Sequence, residues 1–417
     1  MTWLRFLLVM LMLLLACGLA SATSSPGGTS WVEFDGIPAN AGAGVTQYVA
    51  RAAVLQPQWS ELFITWSDIE ATQNVFDFSV PDAVLATNRL LTPYGSQREA
   101  RLLHYWGSSQ VPGWFAGLTT NQQMAALAVA CSNVCDHYQG QIRLLAMDNE
   151  PPLTAPDLHY HTMILSSCVS VAHAAGVGLI GAELSSPGWL PLVNNLVPDG
   201  LLNDCDWIGF HEYRIGVVPP DVDEPSYLPV CSMRADQIFD GIAALGKPMI
   251  VDEFGLLDSA NAVTNALYAD RTVKTILMMR KSGVQVIDPY IWCTDNTPNN
   301  GCYCYGAYSN GVPTAAAQAI LNLENLIGTN ACAAASISWP FYEYRFGTNT
   351  FLWMAEGSSP TGMILSGWSS PPTRVRDGAA APTNVLYSIP IVLSGEGTII
   401  LTNAGPPGIW RVFQVTD

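Results

Sequence analysis

The strongest constraint on the fold is a repeated alternation of short β-like runs with amphipathic helical stretches. Eight candidate strands can be placed: Trp31–Phe34, Glu61–Trp66, Arg101–Tyr105, Ile142–Met147, Val177–Ala182, Trp207–Phe210, Pro248–Val251 and Val284–Ile291. Strands that alternate with helices predict a parallel sheet. Eight such units over about 300 residues match the size of a (β/α)8 TIM barrel, which is the fold class we predict.

Predicted helices separate these strands, and several of them are followed by glycine. The clearest are Asn121–Tyr138, Pro156–Ala175, Met233–Leu245, Asn261–Ser282 and Thr314–Ile327. Gly176, Gly246 and Gly283 directly follow three of them. Because glycine readily adopts the left-handed conformation that ends a helix, we expect each to return the chain to the next strand.

The pattern changes from about Cys332, where β-like runs are separated by Gly, Pro and Ser. These runs are Thr350–Met354, Asn384–Leu393, Thr398–Thr402 and Trp410–Val415. They predict a small antiparallel, sandwich-like sheet packed on the barrel. We therefore expect a signal peptide at 1–22, a catalytic barrel at 29–330 and a C-terminal β domain at 331–417.

The N-terminus is typical of a secretory signal, with a short basic start and an apolar segment, Phe6–Ala16, that is too short to span a bilayer comfortably. Two processing sites remain open. Leu14–Cys17 resembles a lipoprotein lipobox, whereas Ala20–Ala22 is an ordinary small-residue cleavage site. We favour simple secretion, with a lipid anchor at Cys17 as the alternative and no other membrane attachment.

Charge argues against some partners. The formal net charge is −17 at pH 7, and only 17 residues are Lys or Arg, so there is no basic patch for a nucleic acid. A neutral polysaccharide would not be repelled. We expect no nucleic-acid partner and a monomer, and the charge is compatible with a neutral carbohydrate substrate.

Ten cysteines, nine of them after residue 17, favour an oxidising compartment with some disulfides, whose connectivity stays open. Cys131 and Cys135 lie one helical turn apart, and Cys302 and Cys304 lie in a Gly/Asn-rich loop. Neither pair has the second ligand pair and nearby histidine of a zinc site. We expect no metal and no cofactor.

Two glutamates end separate apolar runs. Glu150 lies in Asn149-Glu150-Pro151 after the fourth predicted strand, and Glu253 follows the seventh. On a barrel, the carboxyl ends of the strands converge on one face, so the two side chains should share a cleft. A retaining glycosidase needs such a pair about 5 Å apart, one as acid and base and one as nucleophile.

The chain from about Trp31 to Leu326 resembles the clan A retaining glycoside hydrolases, a (β/α)8 group that includes families 5 and 39. Asn149-Glu150-Pro151 is similar to the fourth-strand motif, and the segment from Gly246 to Gly255 is similar to the seventh-strand motif. The stretch from Asp206 to Tyr213 is similar to the sixth-strand His-x-Tyr.

This resemblance implies a role for each matched residue. Glu150 would be the acid/base and Glu253 the nucleophile, with Asn149 bonded to the sugar 2-hydroxyl. Tyr213 would contact the nucleophile, and His211 would border the cleft. Four further residues are expected to line the sugar site: Trp292, which matches the eighth-strand tryptophan, and Trp106, Trp114 and His104.

The chain departs from the group in two places. The arginine that many members carry at the end of strand two would fall near Thr65, where this chain has none, and Asp252 precedes the nucleophile where Thr or Ser is commoner. A non-catalytic carbohydrate-binding barrel is therefore an alternative to an enzyme. A metal-dependent hydrolase is a weaker alternative, because it needs histidines and carboxylates clustered at strand ends. We expect no such cluster from the six histidines, since His137, His159, His161 and His173 fall on predicted helices.

Overall fold

A computed structural model describes residues 45–55, 57–89, 97–103, 110–151, 155–184, 197–213, 234–255, 265–290, 308–309, 312–328, 330–338, 341–354, 362–365, 374–377, 392–394, 398–402 and 413–416. The signal peptide, the first predicted strand Trp31–Phe34 and the site candidates His104, Trp106 and Trp292 lie outside these residues. Their assignments stay predictions, as do the domain boundaries.

A seven-stranded parallel sheet forms the centre of the molecule, with its strands in sequence order. The strands are β1 Trp59–Thr65, β2 Gln97–Leu103, β3 Leu144–Ala146, β4 Gly178–Leu184, β5 Trp207–Glu212, β6 Met249–Gly255 and β7 Val284–Tyr290. Each pairs in parallel with the next. Seven of the eight predicted strands are thus confirmed, together with the barrel fold.

Helices connect these strands. They are α1 Val45–Leu55, α2 Trp66–Ile69, α3 Ser79–Asn88, α4 Thr120–His137, α5 Ala155–Ala174, α6 Leu201–Asp204, α7 Ala235–Ala243, α8 Asn265–Lys281 and α9 Ala315–Ile327, with a 3-10 turn at Phe115–Gly117. The five predicted helices are confirmed to within a few residues. Gly176 and Gly246, at φ +77 and +78, adopt the left-handed conformation expected after a helix.

Two apolar regions enclose the sheet. Inside the curl, one apolar layer contains Trp59, Leu144, Ala146, Ile180, Trp207, Ile250 and Val286. Trp59 and Trp207 meet edge to face within it, at 6.0 Å between ring centroids. Outside, the larger core lies between strands and helices. Because side chains alternate along a strand, the next inward positions lie above the apolar layer, toward the carboxyl ends of the strands.

Smaller antiparallel sheets follow the barrel. A hairpin joins β8 Tyr308–Ser309 and β9 Val312–Pro313. The later strands are β10 Cys332–Ser338, β11 Phe341–Phe346, β12 Asn349–Met354, β13 Gly362–Leu365, β14 Arg374–Asp377, β15 Val392–Ser394, β16 Thr398–Thr402 and β17 Phe413–Thr416. One sheet has the order β10-β11-β12-β17-β14 and another β13-β16-β15. This confirms the predicted antiparallel C-terminal region.

The C-terminal sheet packs against the barrel helices. Tyr342 and Trp353 stack at 5.0 Å and belong to the same core as the helices. Asn349 Nδ2 donates to the Leu326 carbonyl oxygen near the end of α9, at 2.7 Å. Among the described helices, none combines the length and apolarity that crossing a membrane requires.

The cysteines do not support the disulfide expectation in this part of the chain. Cys131, Cys135, Cys168 and Cys205 are free thiols, and all four are buried. Burial raises the pKa of Cys205 to about 12, so its thiol stays protonated. These thiols belong to the packed interior, and the remaining cysteines other than Cys332 lie outside the described residues.

Candidate active site

Polar side chains meet where three strands of the parallel sheet, β3, β5 and β6, end. Asn149 and Glu150 follow β3, His211 and Tyr213 lie at the end of β5, and Glu253 lies in β6. The register pairs His211 directly with Glu253. The five residues that the motifs singled out are therefore brought together, since parallel strands carry their carboxyl ends to the same face.

His211 links the two predicted catalytic carboxylates. Its Nδ1 lies 2.8 Å from Glu150 Oε1 and 3.3 Å from Glu253 Oε2. One carboxylate oxygen from each glutamate and one ring nitrogen of His211 all lie within 4.8 Å of one another. The carboxyl groups of Glu150 and Glu253 therefore face one pocket at the separation expected for double displacement, about 5 Å.

The two carboxylates differ in their surroundings. Glu253 is 9% exposed and Glu150 is 22% exposed. Tyr213 donates its hydroxyl to Glu253 Oε2, and Arg101 Nη1 lies 2.9 Å from Glu253 Oε1. Two donors hold the Glu253 carboxylate in one position, whereas Glu150 is the more open of the two to a ligand.

Arg101 is the functional residue that the sequence analysis missed. It lies on β2, is fully buried, and donates to Asn149 Oδ1 as well as to Glu253. The second predicted strand is β1 of the structure, and no arginine lies near Thr65 at its end. Arg101 on the neighbouring strand β2 contacts Glu253 instead. The available signal was a strand of the central sheet that carries Arg98, Glu99 and Arg101, because buried charges in proteins are normally paired.

Arg101 is surrounded by carboxyl groups. Its Nε lies 2.9 Å from Glu61, its Nη2 lies 2.6 Å from Asp252 Oδ2, and Glu183 and Glu99 lie 3.8 and 3.9 Å from Nη2. All are buried. Together they form a charged layer directly beneath the predicted nucleophile, which we call the Arg101 cluster.

The pKa shifts in this cluster follow from burial and from charge. Burial, reinforced by the charge of Asp252, raises the pKa of both Glu99 and Glu183 well above the usual range. Burial also opposes ionisation of Asp252, but Arg101 and then His211 overcome it and lower the pKa of Asp252. The negative charge therefore concentrates on the carboxylate that Arg101 holds most closely.

His211 is pulled in two directions. Its complete burial lowers the pKa, but Glu253, Asp252 and the hydrogen bond to Glu150 raise it more, so that the net pKa lies above 6.5. A charged His211 donates from Nδ1 to Glu150 Oε1, and its Nε2 lies 3.6 Å from Asp252 Oδ1. The ring thus couples the pocket to the Arg101 cluster.

The backbone at Glu150 is in an unusual conformation. Its φ is +50, in the left-handed region that non-glycine residues seldom occupy, and its N–H donates to the Glu183 carbonyl oxygen at 3.1 Å. Just before it, Asp148 Oδ1 accepts the backbone N–H of Asn149 at 2.8 Å. Such a turn directs the Glu150 side chain toward His211 instead of along the strand.

Two groups of side chains have the spacing of a cation site: Glu150 with His211 and Glu253, and Glu183 with His211 and Asp252. The expectation that no histidine joins a carboxylate cluster is therefore wrong for His211. The guanidinium of Arg101 contacts both groups, however, and a cation beside them would face its repulsion. The four helical histidines lie on α4 and α5, as predicted.

Trp114 packs on protein side chains. Its ring meets Trp66 edge to face at 5.8 Å, and its Nε1 donates to the Glu70 carbonyl oxygen at 3.0 Å. It is only partly buried, so one part of the ring remains accessible. Its predicted contact with sugar stays a prediction.

Comparison with known proteins supports the fold. The sequence matches no family model and no curated protein. Among solved structures, a family 39 glycoside hydrolase from Bacteroides cellulosilyticus WH2 superposes with a TM-score of 0.71 at 13% identity, covering 94% of this chain and 81% of that one. The chain has the fold of clan A glycoside hydrolases.

Two other solved structures superpose on the chain with lower TM-scores. A GH30 endoxylanase from Clostridium papyrosolvens C71 has a TM-score of 0.54 at 14% identity and covers 94% of this chain and 97% of that one. A GH5_18 from Bifidobacterium longum subsp. infantis has a TM-score of 0.53 at 12% identity and covers 70% and 77%.

Proposed function

We propose that this protein is a retaining glycoside hydrolase that cleaves β-glycosidic bonds of a neutral glycan or glycoside by double displacement. The observation that carries the proposal is the pair Glu150 and Glu253. A carboxylate oxygen of one lies within 4.8 Å of a carboxylate oxygen of the other, at the carboxyl ends of the strands. An inverting enzyme needs a wider gap, because a water must fit between the carboxylate and the sugar. The fold, shared with glycoside hydrolases, is consistent with this chemistry.

In the first step, Glu253 attacks the anomeric carbon and Glu150 gives its proton to the departing glycosidic oxygen. The C–O bond to the leaving group breaks, and an ester forms between the sugar and Glu253. Because His211 Nδ1 occupies Glu150 Oε1, the acid proton would reside on Oε2. Tyr213 and Arg101 orient the attacking carboxylate before the substrate arrives.

In the second step, Glu150 removes a proton from water, and the resulting oxygen attacks the anomeric carbon and releases Glu253. The configuration at that carbon is thereby retained. Asn149 Oδ1 accepts from Arg101, which leaves the Nδ2 group to donate to the sugar 2-hydroxyl. That bond strengthens as positive charge develops on the sugar ring.

The charges favour a neutral substrate. The protein carries a formal charge of −17, so its overall field is negative. An anionic sugar would meet this field unfavourably. Sugar identity and linkage are to be found by screening aryl glycosides and soluble polysaccharides.

The test uses two variants of the pair. Glu253→Gln should abolish hydrolysis of activated aryl glycosides, and Glu150→Ala should leave a slow enzyme that azide partly rescues by forming a glycosyl azide. Glu343→Gln, at a partly exposed residue of β11 paired with Arg345, is the matched control and should behave as wild type. Wild-type rates in either site variant would refute the assignment.

The contact of Arg101 with Glu253 supports an enzyme over the alternative of a non-catalytic binding barrel. That alternative depended on the arginine missing near Thr65, and Arg101 supplies that contact from β2. A binding titration beside a product assay separates the two functions, because a pure binder would release heat without new reducing ends. Secretion and a monomeric state remain proposals from the sequence.

A further inference from the structure

Glu183 lies inside the barrel because β4 is distorted there. Ala182 and Glu183 have φ values of +77 and +41, and the pairing of β4 with β5 shifts register between Ala182 and Leu184. A β-bulge of this kind redirects a side chain. The carboxyl group of Glu183 is fully buried, with Oε2 at 3.8 Å from Arg101 Nη2.

The space for this carboxyl group depends on Gly209 in the neighbouring strand. A Cβ at residue 209 would lie 1.9 Å from Glu183 Oε1 and 2.6 Å from Ile180 Cγ2. Only glycine leaves room there for the buried acid. A bulge on one strand and a glycine on the next therefore place Glu183 within the Arg101 cluster.

Glu183 and Asp252 share one buried environment with unequal support. Asp252 Oδ2 is 2.6 Å from Arg101 Nη2, well inside hydrogen-bond distance, whereas the corresponding distance for Glu183 is 3.8 Å. Both Glu183 oxygens and Asp252 Oδ1 find no hydrogen-bond donor among the described residues. Their donor atoms lie within 4.8 Å of each other. A single proton held between the two side chains would give these oxygens a hydrogen bond, and two carboxylates this close cannot both stay ionised without a large free-energy cost.

We propose that Glu183 is a positioning residue, a neutral carboxylic acid that donates a hydrogen bond to Asp252 Oδ1. Asp252 then remains anionic and holds Arg101 Nη2, while Nη1 of the same guanidinium holds Glu253. The proton is thus two contacts from the nucleophile. This role rests on the proposed hydrolase function.

Burial and the nearby Asp252 raise the pKa of Glu183, which agrees with a neutral acid. The titratable groups around this pair come from several strands of the sheet: Glu61 on β1, Glu99 and Arg101 on β2, His211 on β5 and Glu253 on β6. Asp288, buried on β7, lies at the register position beside Asp252 and Glu253.

The test compares Glu183→Gln, Glu183→Leu and Asp252→Asn. An amide at 183 still offers an N–H to Asp252 and a carbonyl to Arg101, so Glu183→Gln should keep kcat within about threefold of wild type. Glu183→Leu removes the donor and should lower kcat by about ten- to a hundredfold. Asp252→Asn removes the anion that holds Arg101 and should cost at least as much.

The pH profile gives a readout that a merely structural role would not move. Without its donor, Asp252 protonates at a higher pH, so the acid limb of the rate profile should move upward in Glu183→Leu and stay in place in Glu183→Gln. The proposal is overturned if kcat falls as far in Glu183→Gln as in Glu183→Leu. It is also overturned if Asp252→Asn keeps a higher kcat than Glu183→Leu. If the leucine variant does not fold, the comparison of Glu183→Gln with Asp252→Asn decides.

Infrared spectroscopy tests the proton without any substrate. Wild type should show the C=O stretch of buried carboxylic acids, and Glu183→Gln should lose one component of that band. An unaltered band would overturn the proposal, as would a stoichiometric metal in the purified wild type that Glu183→Gln lacks. Failure of the wild type to hydrolyse any glycoside refutes the proposed function alone, because the infrared result stands independently.

Discussion

The ring of Tyr213 covers Gly255 so closely that a Cβ at residue 255 would lie 1.6 Å from Tyr213 Cδ1. Gly255 ends β6, two residues after Glu253, and Tyr213 follows β5. The absence of a side chain on one strand thus allows the hydroxyl on the next to reach the carboxylate. The glycine in this motif is a positioning feature of the pocket.

Gly255→Ala should therefore displace Tyr213 and misalign Glu253. We expect kcat on an aryl glycoside to fall by about ten- to a hundredfold, because the attacking group loses its fixed position. Gly117→Ala is the control, since nothing lies within 4 Å of a Cβ at that glycine. Unchanged kcat in Gly255→Ala would show that the tyrosine can shift without consequence.

Tyr213→Phe removes only the hydroxyl that donates to Glu253. Loss of a hydrogen bond to a charged group should lower kcat by about tenfold or more while leaving the fold intact. Tyr160→Phe, which removes a hydroxyl bonded to Gln123 on the helices, is the matched control. Steady-state kinetics and melting temperatures should be measured for both variants. An equal fall in kcat in Tyr213→Phe and Tyr160→Phe would contradict a role of Tyr213 in the site.

Arg101→Met should both inactivate and destabilise the protein. Removing one partner of a buried ion pair leaves uncompensated charge, which costs about 3–5 kcal/mol of unfolding free energy. Arg101→Lys keeps the charge but loses the fork that reaches Asp252 and Glu253 together, so it should be intermediate in activity. Urea unfolding measures the first effect and kinetics the second.

Arg345→Met is the control for this variant, since Arg345 is 44% exposed and pairs with Glu343 on the same strand. Its stability should change by less than about 1 kcal/mol. If Arg101→Met were no more destabilised than this control, the Arg101 cluster would not contribute to stability as inferred.

His211 predicts a pH-dependent stability. Its pKa in the folded protein lies above the ordinary 6.5, so the folded state binds the proton more tightly than the unfolded chain does. The resulting stabilisation is fully present below about pH 6.5 and is lost as the pH rises through the raised pKa. The difference in unfolding free energy between wild type and His211→Gln should therefore shrink over that alkaline interval.

Urea unfolding at a series of pH values measures this difference. His173→Gln removes only an exposed contact with Asp206 and should change stability little, which makes it the control. A difference between wild type and His211→Gln that grows with pH would show that the ring is stabilised in its neutral form.

Much of the fold and part of the site could be predicted from local pattern. Helices with glycine stops, such as α5 before Gly176, are local features, and the structure confirms them. Glu150 and Glu253 could be expected to meet because parallel strands bring their ends to one face. That expectation needs no knowledge of side-chain packing.

The roles of Arg101 and Glu183 could not be predicted from the sequence, because they depend on contacts between distant parts of the chain. Arg101 and Glu253 are 152 positions apart, and no spacing rule relates a mid-strand arginine to one particular carboxylate. Glu183 faces inward only because of a bulge in its own strand and a glycine on the next. Both effects depend on register between strands, which is a property of the assembled sheet.

The order of residues by itself determined the alternation of strands and helices, and with it the face on which Glu150 and Glu253 would appear, because those are consequences of periodicity and chain direction. Only the tertiary structure decided which cation holds Glu253 and which buried carboxyl groups surround that cation. Those depend on distances of a few ångströms across strands, and at that range burial and charge set the energy of every ionisable group.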